Sequence, residues 1–116
     1  MSLHAEVKAK LSHQQSQSAK RVLNLLESES LVSDGMESTS TTASEAFRLW
    51  KTRLRNTRIT HKAIRGLPEL VERLESISPN KKVEYFGFTG RGLTVTVILE
   101  KTSGTLVGAV SVDDRA

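Results

Sequence analysis

The sequence predicts an α+β fold in which helices come first and a small antiparallel sheet comes last. Apolar residues recur at helical spacing as far as Ile77, the period drops to two from Lys82 onward, and Ser78, Pro79 and Asn80 punctuate the change. A narrow sheet cannot hide an apolar face by itself, so the helices are expected to cover it. The expected arrangement is two to four N-terminal helices followed by a three-stranded antiparallel meander with helices packed on one face.

The 116 residues suffice for one domain with one core. Apolar residues make up 37% of the chain and charged residues 26%, which points to a modest core. Residues 1–32 read as an amphipathic helix or helix pair, with Leu3, Val7, Leu11, Val22, Leu25 and Leu26 on one side. The stripe is interrupted over Ser12–Ser18, SHQQSQS. An unbroken helix there would run about 42 Å and overhang the domain, which suits a dimerisation element; a break gives two shorter helices.

Residues 33–44, SDGMESTSTTAS, show neither helical nor strand periodicity and read as a Ser/Thr-rich loop. At its end, Thr42 and Glu45 have the spacing of a capping box, in which the hydroxyl and the carboxylate each take an orphan amide of a helix start. Residues 45–78 then read as two helices. The first places Ala43, Ala46, Phe47, Trp50 and Leu54 on an apolar arc. Arg48, Lys51, Arg55, Arg58 and Lys62 fall on the neighbouring arc and would form a continuous cation stripe if the helix runs unbroken. Asn56, Thr57, Ile59 and Thr60 are weak helix formers, so the helix has a natural stopping point near Asn56.

Gly66 reads as a C-cap and Pro68 as a first-turn residue of the next helix, whose apolar face is Leu67, Leu70, Val71, Leu74 and Ile77. A helix-turn-helix reading around Gly66 would present Glu72 and Glu75 to phosphates, which is the wrong sign for groove entry. Residues 81–112 form the sheet. Its first strand, Lys82 to Thr89, turns at Gly90, Arg91 and Gly92; Leu93 to Glu100 is the clearest strand, with Leu93, Val95, Val97 and Leu99 opposite Thr94 and Thr96. A turn over Lys101–Gly104 leads to the last strand, Thr105 to Val112. Either edge of so narrow a sheet offers a further route to a homodimer.

The chain lacks cysteine, which excludes disulfides, thiolate nucleophiles and cysteine-based zinc sites. His4, His13 and His61 lack metal-ligand spacing, and the abundant Ser and Thr residues lack a neighbouring base. No catalytic residue, cofactor or metal is expected. The glycines of Gly87–Gly92 join two strands rather than a strand and a helix, so they suit a tight turn better than a phosphate cradle, although Arg91 at the tip can touch an anion. Tyr85, Phe86 and Phe88 are expected in the core rather than stacked on bases. There is no signal-peptide h-region and no run of about 18 apolar residues, so a cytoplasmic protein without membrane contact is expected.

The net charge is +4, and seven Lys or Arg residues with no acid fall between Arg48 and Arg65. That concentration gives the leading expectation, a non-enzymatic accessory protein that binds nucleic acid through the phosphate backbone with a basic helix face. The second expectation is a protein-interaction module, such as an inhibitor, adaptor or assembly subunit, that docks the same face on an acidic protein. The binding residues in either case are Arg48, Lys51, Arg55, Arg58, Lys62 and Arg91.

Overall fold

The computed structural model describes residues 3–28, 37–56, 63–90 and 92–113. In chain order they form α1 (Leu3–Ser12), α2 (Gln17–Ser28), β1 (Glu37–Thr42), α3 (Ala43–Asn56), β2 (Ala63–Arg65), α4 (Leu67–Ser76), β3 (Lys82–Gly90), β4 (Leu93–Glu100) and β5 (Leu106–Asp113). The class is α+β. The sheet, however, has five strands in the order β1-β3-β4-β5-β2, with every neighbouring pair antiparallel. The expected meander is its centre, and two strands not expected from the sequence form its edges.

Both edge strands come from segments without a strand signature. β1 lies inside the expected Ser/Thr loop and is paired in unbroken register from Glu37↔Gly87 to Thr42↔Lys82. Its first four residues are exposed, so no hydrophobic alternation was needed and none is present. β2 pairs Ala63, Ile64 and Arg65 with Asp113, Val112 and Ser111. The strand over Ala63–Arg65, directly before Gly66 where the helix-turn-helix reading needs a helix, removes that reading. It also moves Gly66 from the end of one helix to the entry of the next.

Helices cover both faces of the sheet rather than one. Val7 and Leu11 of α1 and Ala19, Val22 and Leu26 of α2 pack on Phe86, Phe88, Leu93, Val95, Val97, Leu99 and Ala109. Ala43, Ala46 and Trp50 of α3 and Leu70 of α4 pack on the opposite face, against Val83, Tyr85, Ile98, Val107, Val110 and Val112. Phe86 and Phe88 are therefore core residues, as expected. The N-terminal stripe does not overhang; it folds back because the chain breaks between α1 and α2.

That break explains the polar interruption SHQQSQS. Ser16 caps α2 by accepting a bond from the Ala19 amide at 3.0 Å. The Gln14 side chain donates to the Gly104 carbonyl at 3.0 Å and accepts from the Leu106 amide at 3.2 Å, which ties the α1–α2 corner to the β4–β5 turn. Lys10 fastens α1 to the sheet. Its ammonium lies 2.8 Å from Glu84 Oε2 and 3.4 Å from Glu6 Oε1, and 5.4 Å from the centre of the Phe86 ring. The Glu84 hydrogen bond, more than any other influence, holds the Lys10 pKa above the ordinary lysine value. A raised folded-state value means that this stabilisation is complete below the unfolded lysine pKa and is lost as pH rises through the folded one.

Glycines allow α4 its close seat. Gly66 enters the helix at φ 88°, and a Cβ there would stand 2.1 Å from the Ala109 carbonyl oxygen. At Gly108 a Cβ would stand 2.4 Å from Leu70 Cδ1, so the bare backbone of β5 receives the one fully buried side chain of α4. Gly66→Ala adds a left-handed backbone penalty to a backbone clash, and we expect it to lower unfolding stability by about 2 kcal/mol or more in a denaturant titration. In a double-mutant cycle, Lys10→Met and Glu84→Gln should each destabilise by about 1 kcal/mol, with the pair costing less than the sum.

Candidate binding surface

α3 begins where β1 ends, and local bonds fix the join. The Thr42 hydroxyl accepts from the Glu45 amide at 3.3 Å, which is the capping half of the expected box. The Ala43 and Ser44 amides donate to the Lys81 and Pro79 carbonyls at 2.9 and 3.1 Å, so the helix start is tied to the loop after α4. The Glu45 carboxylate faces forward along the helix to Arg48. Arg48 Nε donates to Glu45 Oε2 at 3.0 Å and Nη2 donates to Glu45 Oε1.

No acid falls within the stripe itself, but Glu45 offsets it from one turn before. The two-pronged hydrogen bond raises the Arg48 pKa and lowers that of Glu45, in both cases chiefly through the side-chain bond. Both groups face solvent, so the pair is a weak and exchangeable neutraliser. Arg48 can leave Glu45 for a better-placed anion. Lys51 has a different neighbour, its ammonium lying 4.8 Å above the Phe47 ring. Phe47 in turn stacks on Trp50 with ring centres 5.9 Å apart and planes 19° apart.

The helix thus turns Ala43, Ala46 and Trp50 to the sheet, while Arg48, Lys51 and Thr52 are exposed. Arg55 occupies the last turn of α3, four residues after Lys51 and on the same arc; of this residue only the backbone is described. Arg58, Lys62 and Arg91 lie outside the described residues. Arg48 and Lys51 are the two predicted cations that the structure places side by side.

Next to them is a feature that the sequence did not disclose. Ala43, Ser44 and Phe47 of α3 face Val71, Leu74 and Glu75 of α4 and Pro79 across a groove of about 240 Å3. Val71 and Leu74 already stood on the apolar face of their helix, but the groove exists only because α3 and α4 share one face of the sheet. Its walls are mainly apolar. On the α3 flank the Lys51 ammonium lies over the Phe47 wall and Arg48 is exposed on the same helix, while Glu75 lines the α4 side.

Among the described residues, no group of three or more His, Cys, Asp or Glu side chains is placed to hold a metal ion, and no helix is long and apolar enough to cross a membrane. No protein-family model matches the chain, and neither a curated protein nor a solved structure matches it.

The depressed Glu45 value has a direct check. In a carbon-detected NMR titration its carboxyl should titrate below the ordinary glutamate range, and Arg48→Gln should return it to that range. With a folded value below the unfolded one, any stabilisation from the pair is present above the unfolded glutamate pKa and is lost as pH falls through the folded value.

Proposed function

We propose that this protein is a non-enzymatic interaction module whose α3–α4 surface docks an acidic, amphipathic segment of a protein partner. The supporting observation is the apolar groove between Phe47 and Val71–Leu74, with the Lys51 ammonium over the Phe47 ring on its α3 flank and Arg48 exposed on the same helix. An amphipathic segment offers apolar side chains for such a groove and carboxylates for such a flank. Arg48 suits this role because a partner carboxylate reproduces the paired bond it already makes to Glu45. Glu75 sets the direction by repelling acids from the α4 side.

Nucleic-acid binding by the same helix face is the second reading, favoured by the absence of acids between Glu45 and Glu69 and the net charge of +4. A phosphate backbone would use the cations and leave the apolar groove unfilled. The protein partner uses both, and for that reason it comes first. On this reading the outer edge of β1, whose residues Glu37–Ser40 are exposed, is the route by which a second copy would extend the sheet.

Two probes separate the readings in one NMR experiment. A helical peptide with Leu and Phe on one face and Glu on the other should shift the resonances of Phe47, Val71 and Leu74. Lys51→Glu with Arg48→Glu, or Phe47→Ala, should weaken its binding about tenfold or more. A short DNA duplex tested in parallel should leave those groove resonances unmoved. Duplex binding whose log K falls against log salt with a slope near 4 to 5, with no response to the peptide, would transfer the assignment to nucleic acid and to the five predicted stripe cations, Arg48, Lys51, Arg55, Arg58 and Lys62.

A further inference from the structure

A second basic site lies on the opposite face of the sheet, away from α3. On β2, Ile64 packs with α3 and α4, so strand alternation places its neighbour Arg65 on the α1–α2 face. There the register sets Arg65 beside Ser111, and Ser111 beside Val95; in the next row Leu93 is beside Asp113. Arg21 and Leu25, one helical turn apart on α2, close the site from above. Arg21, Leu25, Arg65, Leu93, Ser111 and Asp113 together line a cleft of about 230 Å3.

The charges in this cleft differ from those on α3. Arg48 is paired with Glu45, whereas neither Arg21 nor Arg65 has an ion-pair partner among the described residues. Two guanidinium groups from elements distant in sequence thus line one cavity with, among the described residues, a single carboxylate, and Asp113 has a bonding partner of its own. Leu25 and Leu93 supply an apolar wall, and Ser111, a residue 3% exposed, lines the cleft with them and carries a hydroxyl.

We infer that the cleft between α2 and the β2 edge is a binding site for a phosphate monoester, its dianionic head between Arg21 and Arg65 and its apolar body against Leu25 and Leu93. A phosphate monoester carries nearly two negative charges at neutral pH and offers oxygens to both guanidinium groups at once. A carboxylate carries one charge and satisfies one guanidinium fully. This site is independent of the α3–α4 groove, and neither assignment needs the other.

Phenyl phosphate is the probe, titrated by calorimetry and NMR at fixed ionic strength against inorganic phosphate and benzoate. Saturable binding is expected for phenyl phosphate, about tenfold weaker for benzoate, and weaker for inorganic phosphate, which lacks the apolar body. Binding should tighten between pH 5 and pH 7 as the second phosphate proton is lost near pH 6. Arg21→Gln and Arg65→Gln, both at exposed positions, should each weaken it about tenfold with unchanged thermal unfolding, and Arg48→Gln should leave it unaltered. Absence of saturable binding, equal affinity for benzoate, or indifference to Arg21→Gln and Arg65→Gln would overturn the assignment.

Discussion

Strand β4 is buried on both faces from Leu93 to Leu99, and the architecture follows from the need to cover it. Its odd-numbered residues lie under α1 and α2, while Ile98 lies under the α3–α4 layer. A sheet with one apolar face could leave the other to water. This one cannot, so the chain provides a pair of helices for each face. The burial also encloses Thr94, Thr96 and Ser111, and the Thr96 hydroxyl has no hydrogen-bond partner among the described residues, an orphan of the kind that folded proteins seldom keep.

The two helix layers meet the sheet by different means. α1 and α2 use aliphatic stripes and polar fastenings, with Lys10 on Glu84 and Gln14 on the β4–β5 turn. α4 uses proximity, since Gly66 and Gly108 remove the side chains that would hold it off and Leu70 fills the space gained. α3 is set by its start, where Thr42 caps it and two amides bind the loop after α4. These bonds turn its small residues and Trp50 inward, which leaves Arg48 and Lys51 outside. The position of the basic surface is thus a consequence of how the core closes.

That surface is less purely positive than its composition suggests. The Glu45 amide is capped by the Thr42 hydroxyl and its carboxylate engages Arg48, so one residue both receives the cap and reduces the charge of the stripe. Lys51 rests over Phe47, and Phe47 walls the groove. Arginines without such local partners among the described residues occur on the other side of the sheet, at Arg21 and Arg65. In the sequence these two are ordinary members of separate segments, and only strand pairing and helix docking bring them to one cleft.

The sequence by itself determined the elements whose residues alternate between burial and exposure. Helical spacing at Val7–Leu11, Ala43–Trp50 and Leu67–Ile77 and the two-residue period from Lys82 reflect local geometry, so they are legible without contacts. The Thr42 half of the capping box was legible for the same reason, as was the core role of Phe86 and Phe88, whereas the Glu45 carboxylate turns to Arg48 instead of back to the helix start. The tertiary structure alone decided what depended on partners. β1 is a strand because β3 offers a free edge, since ESTSTT has no apolar alternation of its own, and β2 is too short to show a period. The second helix layer, the α3–α4 groove and the Arg21–Arg65 cleft each join residues that no periodicity relates, because hydrogen-bonding edges and docking faces choose their neighbours across the fold rather than along the chain.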